Sequence, residues 1–275
     1  MSLNKFSKRL NNNLFLIMSH RGFWGGNIIE NSMEASQLAY KAGADIVEVD
    51  VCKTSDDKYY LFHDGNEPKL LNRQENFKKL SSNEVENSKV YNSIGTVSGK
   101  KINTLSEFLQ WLPENRLVNI DRSWDYWDDP DFFSIIKESG KESQLFFKSP
   151  VAKQHLDAFL KNGGGLYYVP ILKNRAEFEQ VRSYERIRMI GVELIVTDLK
   201  SELLDSGWLK LIKYMGLFTV ANSENLGPDF NLFGGITDDS VLFEETTWDA
   251  FTKRGIDIIQ TDWPNFVRDY RESLK

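Results

Sequence analysis

"LFLIMSHRGFWGGNIIENSMEASQLAYKAGADIVEVDV", residues 14–51, reads as strand, loop, helix and second strand. The apolar run at 14–18 predicts a strand, and apolar spacing of three and four over 33–41 predicts a helix. Ser32 stands where the first free helical amides need an acceptor. A second strand follows at 45–51. Its side chains alternate between faces: Val47, Val49 and Val51 on one, Glu48 and Asp50 on the other. A βαβ unit of this kind calls for a parallel sheet whose apolar strand faces meet helices.

The same alternation continues along the chain. Further strands are predicted at 59–62, 117–121, 144–147, 166–172, 193–196, 217–221 and 257–261. Helices are predicted at 105–112, 132–138, 152–160, 176–187, 203–214 and 248–253, with Thr104, Asp129 and Ser201 as further capping residues. About eight strand–helix units in this length favour a closed (β/α)₈ barrel over an open doubly wound sheet. Residues 64–103 break the rhythm. They are polar, carry Gly65, Pro68, Gly95 and Gly99, and read as an excursion on top of the barrel. No shift in composition marks a second domain, so residues 1–275 are expected to form one barrel domain.

Of the 275 residues, 41% are hydrophobic and 13% aromatic, enough to bury a sizeable core. The formal charge is −6, and no long basic run is present. That argues against nucleic acid as a partner, which needs clustered Lys and Arg. Cys52 is the one cysteine, which leaves no intrachain disulfide and no thiolate metal cluster. No stretch reaches the roughly 20 apolar residues of a membrane span, and the run at 14–18 is too short for a signal-peptide core. The expectation is a cytosolic protein acting on a small molecule. Its oligomeric state is not legible.

The chemistry gathers at predicted strand ends. Glu48 and Asp50 face into the barrel mouth, where two neighbouring carboxylates repel and are costly to desolvate. A divalent cation relieves both problems, and oxygen donors suit Mg²⁺ or Ca²⁺. Asp121, at the end of "LVNID" (117–121), offers a third oxygen ligand. His20 and His63, two of the three histidines, follow the strands at 14–18 and 59–62. Imidazoles titrate near neutrality and suit general acid and base roles. Arg21 offers a planar, permanently charged fork for phosphate oxygens; a salt bridge to Glu30 is compatible with that role. His155 lies in a helical pattern and reads as a surface or half-buried residue.

With these residues in view, the sequence resembles the glycerophosphodiester phosphodiesterase family. "HRG" at 20–22, "ENS" at 30–32, "EVD" at 48–50 and "HD" at 63–64 carry the resemblance, joined by "TLSEFL" at 104–109 and "TDWP" at 261–264. It implies a TIM barrel, a divalent cation, and hydrolysis of a phosphodiester to an alcohol and a phosphomonoester. By the same resemblance His20 and His63 are the acid–base pair, Glu48 and Asp50 bind the metal with Asp121, and Arg21 contacts phosphate.

The chain departs from the family pattern in three places. The family's Glu-x-Lys pair is replaced by Asp121 and Ser123, which removes a lysine. Lys148, in "LFFKSP" at 145–150, is the candidate to supply that charge to phosphate. Near 219–222, where the family carries tryptophan, the chain reads "TVAN". The loop "SWDYWDD" (123–129) suggests aromatic contacts to the alcohol through Trp124, Tyr126 and Trp127, although helix-start packing explains it more simply. Two other outcomes remain open: a lyase releasing a cyclic phosphate, and a catalytically silent barrel that binds phosphate esters.

Overall fold

A computed structural model describes residues 4–227, 230–243 and 247–275. Its strands are β1 (Leu16–Ser19), β2 (Ile46–Lys53), β3 (Tyr59–Leu61), β4 (Leu117–Asp121), β5 (Leu145–Pro150), β6 (Tyr167–Leu172), β7 (Arg188–Met189), β8 (Gly191–Leu194), β9 (Phe218–Asn222) and β10 (Ile258–Thr261). Eight of these pair in parallel in the order β1-β10-β9-β8-β6-β5-β4-β2, and β1 pairs back onto β2. The sheet closes, and helices follow most of its strands. The structure is the TIM barrel anticipated from the strand–helix rhythm.

The strand anticipated at 59–62 is not a stave of this barrel. β3 runs antiparallel to β2, with Val51 opposite Leu61 and Lys53 opposite Tyr59. β2 overshoots the barrel rim and the chain folds back on it. Both members of such a hairpin show strand-like alternation, so sequence pattern alone does not separate them from a barrel unit.

The excursion after it is a folded cap. It holds the helices Glu67–Leu70 and Ser82–Glu86. Its own apolar cluster includes Ile29, Tyr60, Phe62, Phe77, Leu80 and Val90. Phe62 stacks on Phe77 with ring centroids 4.3 Å apart. The predicted helix at 203–214 is divided by Asp205, whose side chain accepts the Trp208 amide at 2.9 Å and starts a new helix, Ser206–Tyr214.

Alternation sorts the barrel staves into two faces. Ile17, Val47, Val49, Val118, Ile120, Phe147 and Val192 pack outward against helices. Leu16, Met18, Ile46, Leu117, Phe146, Val169, Val220 and Ile258 face inward. The polar N-terminal segment contributes an unanticipated helix, Lys5–Leu10, which closes the barrel's lower end. Phe6 is fully buried there, edge-on to Phe146 at 5.2 Å and to Tyr167 at 6.2 Å. The apolar interior therefore has a floor, and the inward positions above it turn polar: Glu48, Asn119, Lys148, Glu193, Asn222 and Gln260, all buried. That layer lies toward the carboxyl ends of the strands, where barrels of this class place their active sites. Among the described residues no helix is long and apolar enough to cross a membrane.

Candidate active site

β1 ends in Ser19, and the next residue, His20, donates its amide to Thr261 O at 3.0 Å. Pairing of the first and last barrel strands thus sets His20 beside Asp262, whose Oδ1 lies 2.9 Å from His20 Nδ1. Burial favours the neutral ring. The hydrogen bond to Asp262 and the charges of Asp262, Glu224 and Glu48 outweigh it and push the imidazole up to about 10. Glu224, just past β9, is itself buried and held by Gln260 Nε2 at 2.8 Å. Burial raises its carboxyl to about 7.

Arg21 adopts a left-handed backbone, φ +55°. Its amide donates to Glu48 Oε2 at 2.7 Å, its Nη1 to Glu30 Oε1 at 2.9 Å, and its Nε lies 3.2 Å from Asp50 Oδ2. The salt bridge to Glu30 is therefore present. Glu30 is also paired with Lys69, on the cap. Gly22 follows with φ +79°, and a Cβ there would stand 2.7 Å from the carbonyl carbon of Ala35. Only glycine lets the loop turn this tightly against the start of the helix Met33–Ala42. Asn31, also left-handed, locks Asp50 from both sides: its Nδ2 donates to Asp50 Oδ2 and its Oδ1 accepts the Asp50 amide, each at 2.9 Å.

His63 arrives by the antiparallel return of β3. The Phe62 amide donates to Asp50 O at 3.1 Å, which brings the next residue back to the mouth beside β2. Its Nδ1 is buried with no hydrogen-bond partner among the described residues. Burial holds this imidazole below its ordinary range; Asp50 opposes that, and Arg21 and Arg122 add to it. The two histidines thus sit in opposite electrostatic settings.

Asp121 is the register partner of Asp50 across β2 and β4. Its Oδ2 receives Lys148 Nζ at 2.8 Å. Lys148 also reaches Glu193 Oε2 at 2.7 Å and is 1% exposed. Burial disfavours its charge, but Asp121, Glu193 and Glu48 hold the ammonium charged, well above its ordinary range.

Among the described residues no three Asp, Glu, His or Cys side chains stand as a ready cation-binding group. Asp50, Asp121 and Glu48 are each drawn to Arg21, Asn31 or Lys148 instead. The donor chemistry nevertheless fits a hard divalent cation: three carboxylates lie on adjacent strands at one end of the barrel. Burial first, and then the charge of Asp50, push the Glu48 carboxyl well above the usual carboxylate range. That is the surplus of negative charge a cation would relieve.

The aromatic loop is divided. Trp127 is fully buried, 4.7 Å from the Phe159 ring, and its Nε1 donates to Ser123 Oγ at 3.1 Å. Tyr126 is buried too. Packing, not contact with an alcohol, accounts for both; Trp124 is only partly buried. His155 is half-buried, with its Nδ1 3.1 Å from Pro150 O. Thr219, in the stretch where the family carries tryptophan, is bound to Asp257 by both its amide and its hydroxyl at 3.0 Å. Asn222 and Glu224 line the site beyond it. Asp262, Glu193, Glu224 and Arg122 were missed from sequence. The alternation in "GVEL", residues 191–194, carries the same signal as Glu48 and could have revealed Glu193.

A closed parallel barrel with two imidazoles and a ring of carboxylates at the carboxyl ends of its strands defines a TIM-barrel enzyme layout. More narrowly, residues 20–131 match the Glycerophosphoryl diester phosphodiesterase family, so the resemblance holds over the segment that contains every assigned residue except Lys148. No curated protein matches the chain. Among solved structures, a glycerophosphoryl diester phosphodiesterase from Parabacteroides distasonis is 17% identical, with a TM-score of 0.73 over 96% of this chain and 88% of that one. A phosphodiesterase from Oleispira antarctica, in complex with the product sn-glycerol-3-phosphate, is 16% identical, with a TM-score of 0.69 over 94% and 96%. A putative glycerophosphodiester phosphodiesterase from Galdieria sulphuraria is 14% identical, with a TM-score of 0.71 over 94% and 98%. The family match covers residues 20–131, and these solved structures share the barrel fold.

Proposed function

We propose that the chain hydrolyses a glycerophosphodiester or similar small phosphodiester to an alcohol and a phosphomonoester, with His20 and His63 as the acid–base pair. One observation carries the reading: the backbone beside each histidine is hydrogen-bonded to the stretch of β2 that bears Glu48 and Asp50. The residue after His20 donates its amide to the Glu48 carboxylate, and the residue before His63 donates its amide to the Asp50 backbone carbonyl.

His20 is the general acid. Its Nδ1 is committed to Asp262, so Nε2 is left to protonate the departing alkoxide. His63 is the general base, because its surroundings favour the neutral ring that accepts a proton from water. Arg21 is oriented by Glu30 and Asp50, and its remaining N–H groups address the phosphate oxygens. Lys148 adds positive charge to the phosphate end of the site through its place beside Asp121.

Glu48, Asp50 and Asp121 would hold Mg²⁺ or Ca²⁺. When bound, the cation neutralises charge developing on the phosphoryl group. Asp121 is now held by Lys148 and the Arg122 amide, and a bound cation would compete with these two partners.

Phosphorus NMR of products from glycerophosphocholine and glycerophosphoethanolamine, with Mg²⁺, Ca²⁺ or Mn²⁺ supplied, tests the reading. A phosphomonoester is expected. A cyclic phosphate would replace hydrolysis with lyase chemistry, and cation-dependent binding without turnover would overturn the enzymatic reading.

A further inference from the structure

The two cations assigned to phosphate are both engaged within the protein. Arg21 is held by Glu30 and Asp50. Lys148 lies between Asp121 and Glu193 and is 1% exposed. Ser123, at the position of the family's lysine, is buried and receives Trp127 Nε1. The residue between them, Arg122, has a different setting.

Inward and outward side chains alternate along β4, with Val118 and Ile120 outward and Leu117 and Asp121 inward. Continued in extended form, the strand would aim residue 122 outward at the helices. The backbone at Arg122 is left-handed instead, φ +48°. The reversal leaves its guanidinium over the mouth. There Nη2 makes a long contact of 3.4 Å with Asp64 Oδ1, and the side chain is 41% exposed. It is the guanidinium's one hydrogen bond among the described residues. The group is near enough to His63 to lower that imidazole's proton affinity. Trp124 lies to one side, its ring centre 6.0 Å from the guanidinium carbon.

Arg21 has the same design: a left-handed arginine directly after an inward-facing site residue at the end of a barrel strand. A non-glycine residue in this conformation is unfavourable and persists where the surroundings fix it, often at ligand contacts.

We infer that Arg122 is a phosphate-binding residue, an exposed guanidinium that takes a non-bridging oxygen of the anionic substrate in place of the family's lysine. The inference rests on the phosphodiesterase reading for its substrate. A screened, exposed pair with Asp64 contributes little by itself, which leaves the guanidinium free to exchange that partner for phosphate, where it is held bidentately.

The test compares wild type with Arg122→Gly, Arg122→Gln and Arg122→Lys. Glycine suits a positive φ, so Arg122→Gly removes the charge without backbone strain. Two readouts are taken: kcat and KM for glycerophosphocholine with Mg²⁺, and the calorimetric Kd for sn-glycerol 3-phosphate. The Tm of each variant is recorded. In Arg122→Gly and Arg122→Gln both KM and Kd are expected to rise about tenfold or more, with kcat less affected. Arg122→Lys should recover part of the loss, and the Tm of Arg122→Gly should be unchanged. Wild-type Kd and KM in Arg122→Gly would overturn the inference and leave the phosphodiesterase reading intact. A wild-type protein that binds sn-glycerol 3-phosphate but turns over no diester would overturn the activity, and the Kd comparison would still decide Arg122. Wild type that binds no sn-glycerol 3-phosphate would overturn both.

Discussion

His20 and Asp262 stand 242 positions apart and 2.9 Å from one another. The closing β1–β10 pair brings them together. Asp262 is anchored in turn by its amide, which donates to buried Asp238 at 2.8 Å. The pair orients the His20 ring and favours its charged form. Asp262→Asn removes the charge and keeps the shape. We expect kcat to fall about 10²-fold, and the alkaline limb of the rate profile to shift to lower pH. An unchanged alkaline limb would separate His20 from the titrating acid.

The rate should have a bell-shaped pH dependence. The acid, His20, must be charged, and its proton is retained until pH approaches about 10. The base, His63, must be neutral, and its proton affinity is lowered from the ordinary value of 6.5. Activity therefore rises as pH passes upward through a value below 6.5 and falls on the alkaline side. Arg122→Gln removes a positive charge that depresses His63, so its acid limb should move to higher pH. The pH profile of kcat/KM measures both shifts.

Cation removal should abolish turnover. EDTA is expected to silence the protein and Mg²⁺ or Ca²⁺ to restore it. Glu48→Gln and Asp50→Asn should each raise the cation concentration needed for half-maximal rate. Turnover that survives exhaustive chelation would leave the buried carboxylates without their proposed role.

Lys148 is the counter-ion of two buried acids. Lys148→Met leaves Asp121 and Glu193 unneutralised, a change that costs about 3–5 kcal/mol when a buried ion pair loses one partner. Urea denaturation should register that loss. A variant as stable as wild type would show that water reaches these acids.

Phe6 fills the floor of the barrel far from the chemistry. Phe6→Ala should destabilise the fold by about 3–5 kcal/mol and leave KM near wild type. A change in KM at unchanged stability would mean the N-terminal helix communicates with the mouth.

The sequence announced the barrel because its strands are buried on both faces and its helices on one, and those two periods differ. Glu48, Asp50 and Asp121 were legible for a related reason: a charge at an inward strand position breaks the apolar expectation. His63 was placed at a strand end correctly, but the direction of that strand was not legible, since a hairpin return and a barrel stave share one alternation. Asp262 and Glu224 act on His20 through the closure of the barrel, a relation between distant segments that no local pattern encodes. The placement of Arg122 was hidden because it depends on a backbone reversal at a single residue. The burial of Trp127 against Phe159 agrees with helix-start packing, the simpler reading of the aromatic loop.

His20 and His63 are proposed to serve one reaction at one mouth. The most direct test is single-turnover hydrolysis of glycerophosphocholine by His20→Ala and His63→Ala, each first shown to be folded by circular dichroism and Tm. A loss of about 10²–10⁴-fold or more is expected in each variant, with phosphomonoester as the wild-type product. Full activity in either folded variant would contradict the proposal.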